Sequence, residues 1–375
     1  MLRELRQPIL AERHYREALR LEPRLQAGYL GLGSLLDDFH QYDDAVDCLT
    51  KAVEIDPNSA TAFSMLARSR LQQGRLDDAV IAASKAIELD ATRATAHCNL
   101  ASCFRALGRL DEAIDAYRAA IRLDPNDPFH FSNLVYTLIH LPGTSAAAIF
   151  AEHRSWGRLL ADPWSERALP HTNDRSDRRL RVGYVSAHFC DHAVNFFSEP
   201  LLAAHDHAAV EVFCYSNGSQ ADQTNARLKA YADGWREIGH LSDEQAGQQV
   251  RDDRIDILVD LSGHIAGHRL LLFARKPAPV QVTYLGYQAT TGMRAMDYRL
   301  TDAWSDPPGT TDADYTEKLV RLPQAFFCYR PSPDAPPVEP LPAVANGYVT
   351  FGSFNNIAKV TPQVLAAWAQ LLREV

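Results

Sequence analysis

Four short stretches of this 375-residue chain concentrate the side chains able to bind or transfer a group. The first is Val185-Ser186-Ala187-His188, running into Cys190-Asp191-His192; the second is Asp260-Leu261-Ser262-Gly263-His264. The third is Leu285-Gly286-Tyr287, followed by Thr290, Thr291 and Gly292. Each follows a short apolar run, and a polar, glycine-containing turn at such a place is what a substrate cleft requires. The fourth is Lys359, just before a helix predicted to start near Thr361 and Pro362. There an ammonium and the unsatisfied N–H groups of a helix N-terminus attract the same anion, for example a diphosphate. Taken alone, such a lysine reads better as a solvated surface residue. His264 and His268 form an H-x-x-x-H without the glutamate of H-E-x-x-H, which argues against zinc hydrolysis. Neither a G-x-G-x-x-G fingerprint nor a phosphate loop G-x-x-x-x-G-K-[ST] occurs, which disfavours a dehydrogenase or an ATPase.

The elements that must position these residues are legible from hydrophobic periodicity. RLRVGYVSAHF, VEVFCYSNG, IDILVDLSGH and PVQVTYLGYQ are apolar, β-branched runs, separated by helical stretches such as DQTNARLKAYA and DEQAGQQVRDD. Near-continuous hydrophobic strands alternating with helices predict a parallel sheet covered on both faces, a Rossmann-like α/β lobe over 179–345. Ligands of such sheets sit at the carboxyl ends of the strands, where the three turns fall. The final stretch, GYVTFGSFNNIAKVTPQVLAAWAQLLREV, reads as strand, turn and helix, the start of a further lobe over 346–375.

Ahead of the strands the chain repeats itself every 34 residues. Leu32, Leu66, Leu100 and Leu134 share a phase, as do Ala45, Ala79 and Ala113, and again Ala52, Ala86 and Ala120. Tyr29, Phe63, His97 and Phe131 share another, and Pro23, Pro57 and Pro125 recur at the turns with Gly74 and Gly108. Each unit reads as two amphipathic helices, for example Ser59 to Gln73 and Leu76 to Leu89. Small alanines let the pair approach closely, and glycine permits the left-handed helix cap. The pattern resembles the tetratricopeptide repeat over roughly residues 8–141, in a repeat domain read as 1–141; its first unit is only a second helix, read as a truncation or a cap. Stacked repeats create a groove for an extended peptide or partner protein, although an array of this kind also serves as a passive spacer. Asn99 and Asn133, in one phase, are candidates to clamp a peptide backbone there. Residues 142–178 read as a linker with one helix.

Composition narrows the classes. A net charge of −9 argues against a nucleic-acid binder but not against a small phosphorylated ligand. No apolar run approaches the roughly 20 residues that span a bilayer, and the opening is charged throughout, so no membrane association and a cytoplasmic protein are expected. Six scattered cysteines, without a C-x-x-C pair, read as buried free thiols.

RVGYVSAHFCDH, ARKPAPVQVTYLGYQATTGMRAMDYRLTD and VTFGSFNNIAKVTP resemble segments of the family containing O-GlcNAc transferase and SPINDLY, which joins tetratricopeptide repeats to a two-lobed GT-B catalytic region. The resemblance runs in the same order over residues 8 to 375. It implies an inverting transfer of a sugar from a nucleotide donor to Ser or Thr hydroxyls of proteins, with no metal and no cofactor. His192 matches the family histidine at the mouth of the first lobe, a base or a donor-positioning group. Leu285 and Gly286 match the turn that approaches the donor sugar, and Asn356 and Lys359 the residues that hold the diphosphate. His188, Asp191 and His264 are further cleft candidates. The donor implied is UDP-GlcNAc, with GDP-fucose as the SPINDLY-like alternative, and the repeats are expected to hold the acceptor protein. Two departures stand out. His188 occupies a place where the family carries Asp, with Asp191 the nearest carboxylate, and the second lobe is only begun. The chain is therefore expected to be a fragment of a longer product, inactive by itself, and an inert binding scaffold is the competing expectation.

Overall fold

The computed structural model describes residues 8–171, 178–218, 222–331, 335–355 and 359–375. They form two compact units, one comprising the chain up to Gly143 with Phe354–Val375, the other Thr144–Ser353.

In the first unit the 34-residue grammar becomes antiparallel helix pairs. The helices are α1 (Pro8–Leu21), α2 (Gln26–Asp38), α3 (Tyr42–Ile55), α4 (Ala60–Gln72), α5 (Leu76–Leu89), α6 (Ala94–Ala106), α7 (Leu110–Leu123) and α8 (Pro128–Leu138). The phased alanines Ala45, Ala79, Ala113, Ala52, Ala86 and Ala120 are wholly buried, so a larger side chain at any of them would force the pair apart. Gly74 and Gly108 take positive φ at the turn, and His40, 34 residues before Gly74, does the same at φ 60°. Acidic residues open the second helix of each pair, Asp43 and Asp44 in α3, Asp77 and Asp78 in α5, where they meet the positive end of the helix dipole. Asn99 and Asn133 are already engaged. The Asn99 amide donates to the Ser64 carbonyl at 2.8 Å, and that of Asn133 reaches the Cys98 sulfur at 3.8 Å. They act as inter-repeat struts rather than as the free clamps expected.

The second unit is built on a seven-stranded sheet: β1 (Leu180–Ser186), β2 (Val210–Ser216), β3 (Gly234–Glu237), β4 (Ile257–Asp260), β5 (Val280–Thr283), β6 (Tyr298–Asp302) and β7 (Lys318–Leu322). Every neighbouring pair is parallel, in the order β3-β2-β1-β4-β5-β6-β7. The order reverses between β1 and β4, and a crevice for ligand is expected beyond the carboxyl ends of these two strands. Among the helices are α11 (Asn195–Ala203), α12 (Gln223–Ala230), α13 (Asp243–Asp252), α14 (Leu270–Ala274) and the short α15 (Pro342–Asn346). Val182, Tyr184, Val212, Cys214, Val259 and Val282 from β1, β2, β4 and β5 share one core with Phe189, Leu202 and Leu228.

Two expected boundaries move. Within 142–178, α9 (Ala146–Trp156), a π-helical turn (Gly157–Ala161) and α10 (Asp162–Ser165) pack as part of the α/β unit. Trp156 is fully buried there, Arg154 donates to the Gly292 carbonyl, and a Cβ on Gly157 would overlap that carbonyl. The segment therefore behaves as a wall of the lobe, not a linker. Within 346–375, no strand forms at 348–352, where Tyr348, Val349 and Phe351 are exposed. Among the described residues no neighbouring strand completes a ladder for them, and an unpaired strand gains nothing over coil. The helix, α16 (Pro362–Glu374), is present with Thr361 as its N-cap, and it groups with the repeat unit.

Candidate active site at the strand-order reversal

The loop leaving β1 is held by buried polar residues. Asn195, at the start of α11, donates its amide to the carbonyls of His188, at 2.6 Å, and Cys190, and accepts from Ser198 Oγ at 2.8 Å. Asn225 of α12 donates to the Phe189 carbonyl at 2.8 Å, and the Asp191 N–H reaches the Asp222 carboxylate at 2.6 Å. Ala187 passes between Gly218 and Gly267, each too close to it to carry a Cβ without displacement. Arg269 ties the neighbouring exits together, donating to Asn217 Oδ1 at 2.8 Å and Asp243 Oδ1 at 2.7 Å. The loop is thus rigid where its two histidines emerge, as a reacting centre requires.

Those histidines, His188 and His192, stack with ring centroids 4.1 Å apart at 28°. Burial, with a smaller contribution from the neighbouring His192, pulls the His188 pKa down to about 4. Burial also lowers that of His192, against the opposing charge of Asp191. Both rings are therefore neutral near pH 7. His192 Nδ1 accepts the Val194 N–H at 3.2 Å, which fixes the neutral tautomer with its proton on Nε2. The free edge of His192 is thus an N–H donor. His188 Nδ1 is buried without a hydrogen-bond partner among the described residues. An orphaned polar atom of this kind is a partner held ready for a ligand. His192, Asp191, Asn195, Glu199 and Arg227 line a cavity of about 770 Å³ beside the loop.

One strand beyond β4, the exit of β5 turns through Leu285 at φ 67°, a left-handed conformation that costs a branched residue roughly 1–2 kcal/mol. Gly286 then lies so close to the β4 exit that a Cβ would overlap the Leu261 carbonyl. The strain is imposed by packing, since Leu285 inserts into the core while the backbone at 286 presses on the neighbouring turn. The β4 exit is fixed by Asp260, which accepts from Ser262 N at 3.1 Å, Gly263 N at 2.8 Å and Thr283 Oγ at 3.0 Å. Burial pushes its pKa up to about 6 in spite of these bonds.

His264 is not a cleft residue. It is buried with Trp156 at 4.7 Å, His153 at 5.2 Å and Tyr287 at 5.3 Å between ring centroids, and its Nε2 lies 3.0 Å from the Thr291 carbonyl. The exit loop of β4 turns this side chain inward because α9 supplies an aromatic wall. His268 is buried in the same cluster. Lys359 is exposed three residues ahead of Pro362, the first residue of α16, but in the repeat unit, whereas His188, Asp191, His192, Leu285 and Gly286 belong to the α/β unit. Asn356 lies outside the described residues. Asn195 and Asn225, which hold the loop, were not singled out from the sequence; an asparagine opening a helix reads there as a cap.

The chain thus joins a tetratricopeptide array to a wholly parallel Rossmann-like unit whose polar loops gather at the strand-order reversal, a repeat-bearing α/β protein with a ligand crevice. The chain belongs to glycosyl transferase family 41, whose pattern matches residues 122–330, more than half of its length. The tetratricopeptide pattern matches residues 30–94 and 64–128. A probable UDP-N-acetylglucosamine–peptide N-acetylglucosaminyltransferase SPINDLY of Oryza sativa subsp. japonica is 44% identical over 228 residues, 60% of this chain and 24% of that protein. The UDP-N-acetylglucosamine–peptide N-acetylglucosaminyltransferase of Caenorhabditis elegans is 34% identical over 212 residues, 53% of this chain and 18% of that protein. Among solved structures, a mutant of the Thermobaculum terrenum O-GlcNAc transferase superposes with a TM-score of 0.86 at 36% identity, covering 93% of this chain and 66% of that one. The chain thus spans about a quarter of the SPINDLY protein's length. No helix among the described residues is long and apolar enough to cross a membrane.

Proposed function

We propose that this chain supplies the repeats and first catalytic lobe of a protein O-glycosyltransferase, which moves GlcNAc from UDP-GlcNAc to Ser or Thr hydroxyls of proteins held by the repeats. The observation that carries the proposal is the pair His188 and His192 at the strand-order reversal, one with an orphaned ring nitrogen and the other with a free N–H edge. The names of the similar proteins support the same reading.

In an inverting transfer the acceptor oxygen bonds to the anomeric carbon as the bond to the diphosphate breaks; the hydroxyl proton leaves to a phosphate oxygen of the donor or to water, and negative charge grows on the departing phosphate. That charge needs a cation and N–H donors in place before it develops. Lys359, just ahead of the α16 N-terminus, has the chemistry for this, so no metal is required in the proposal. The Nε2–H of His192 suits an oxygen of the donor. The tautomer set by Val194 makes it a poor proton acceptor, and we assign it the positioning role rather than that of base. Leu285 and Gly286 present backbone, not bulk, towards the sugar.

The test is to incubate the full-length protein with labelled UDP-GlcNAc or labelled GDP-fucose and a protein mixture. Label from UDP-GlcNAc alone is expected. Label from GDP-fucose alone would replace the sugar in the proposal, and label from neither would leave a binding scaffold. In the same protein, Lys359→Ala should weaken donor binding by about 1.5–3 kcal/mol, the usual worth of a hydrogen bond to a charged group. Unchanged donor affinity would remove Lys359 from the site.

A further inference from the structure

The repeat unit contains one residue that its own grammar does not explain. His130, in α8, falls in phase with Ala96, Ala62 and Gly28, and Ala96 and Ala62 are wholly buried. A histidine there places two polar ring nitrogens where the earlier units hold a methyl group or nothing. It is 4% exposed, and neither Nδ1 nor Nε2 has a hydrogen-bond partner among the described residues. Leaving both unpaired in the interior is costly, so the ring is expected to face a ligand.

What it faces is carboxylate. Nε2 lies 3.7 Å from Asp127 Oδ2, beyond hydrogen-bonding distance. Asp127 uses Oδ1 to cap α8, accepting the Phe129 N–H at 2.7 Å. Asp124 uses Oδ1 for the Asn126 N–H at 3.2 Å. The second oxygen of each remains for another partner, and one atom from each of Asp124, Asp127 and His130 lies within 4.8 Å of the others. The acids alone would be unremarked. Asp124 is in phase with Asp90 and Asp56, which make the same turn, and Asp127 with the cap Ser59. His130 converts an ordinary repeat turn into a set of three donors.

We propose that Asp124, Asp127 and His130, spaced D-x-x-D-x-x-H at the α7–α8 turn, bind a divalent first-row transition cation. Two carboxylates and an imidazole suit Zn²⁺, Co²⁺, Mn²⁺ or Fe²⁺, and the imidazole disfavours Ca²⁺ and Mg²⁺. Metal–ligand bonds of about 2.0–2.2 Å call for ligand atoms roughly 3–3.5 Å apart. Rotation of the exposed Asp124 side chain closes that difference. Bound there, the ion would clamp the start of α8 to the end of α7, and this role is independent of the transferase reading.

Two substitutions test it without endangering the fold, because each restores what an earlier unit carries at the same place: His130→Ala, as in Ala62 and Ala96, and Asp127→Ser, as in the cap Ser59. The metal-stripped chain is titrated with Co²⁺, followed by its visible d–d absorption, and with Zn²⁺ by calorimetry. One site per chain is expected in the wild type, with affinity reduced about tenfold or more in either variant. At equal concentration, zinc should raise the thermal midpoint of the wild type more than that of either variant. Absence of binding, or equal binding by wild type and His130→Ala through other histidines, would overturn the proposal.

Discussion

His192→Ala in the full-length protein is expected to lower turnover roughly 10²- to 10³-fold, the usual cost of deleting a donor aimed at developing charge, with no change in the unfolding midpoint. The second half of that expectation follows from exposure. His192 lies on the surface of the loop, and the bonds that hold the loop belong to Asn195 and Asn225. The substitution also separates two roles for the ring. A base needs a bare lone pair facing the acceptor, but the Val194 N–H occupies Nδ1, and Nε2 carries a proton whether the ring is neutral or charged. His192→Gln, which keeps an N–H donor, should therefore recover part of the lost activity. Burial has already lowered the pKa of His192 below its ordinary 6.5. Were it a base, turnover would fall as pH drops below that lowered value. As a donor it leaves turnover flat for as long as the fold survives, and a pH–rate profile measured alongside stability reads the difference. Near-normal turnover in His192→Ala would remove the residue from the reaction.

The fold itself should fail on mild acidification. Burial holds the pKa of His153 near 4 and that of His268 near 3, and drives that of His264 well below its ordinary value. His188 stands near 4 for the same reason. In the unfolded chain these rings bind protons from about pH 6.5 downward. Between 6.5 and 4 the unfolded state thus carries more protons than the folded one, so stability is full above 6.5 and falls as pH drops through that window. A single ring shifted from 6.5 to 4 contributes about 3 kcal/mol, so even two of them contribute about 6 kcal/mol, much of the stability of an ordinary domain. Tryptophan fluorescence is the natural reporter. Trp156 touches His264, and Trp164, Trp235 and Trp304 share the α/β unit. Urea unfolding at pH 7, 6 and 5 should show a stepwise loss of free energy, and a flat response would mean that the cluster takes up protons without opening.

The repeats were legible because stacking imposes the same residue at the same place in every unit. Ala45, Ala79 and Ala113 announce themselves by recurrence alone, and their burial follows. Strands β1, β2, β4 and β5 were equally plain, since a strand covered on both faces is apolar throughout. β3, β6 and β7 were not read as strands. Their charges, Arg236, Arg299 and Lys318 among them, break the apolar run, and two of them form sheet edges. Arg236 is held by the Asp253 carboxylate at 2.7 Å, a partner 17 residues away that no local pattern displays. Strand-end logic put His188, His192 and the Leu285–Gly286 turn at the exits of β1 and β5, where the structure has them. It could not decide which way an exit-loop side chain points. His264 turned inward because α9, read as a linker helix, is a wall of the lobe. Leu285 carries a strained φ that no residue type advertises.

The central claim is that the crevice where the strand order reverses receives the nucleotide sugar. Hydrogen exchange of the full-length protein, with and without UDP-GlcNAc, addresses it directly. The amides of residues 187–194 and 285–292 should exchange more slowly when the donor is present, in wild type and less so in Lys359→Ala. Protection elsewhere, with both of these loops exchanging at the same rate throughout, would contradict the account.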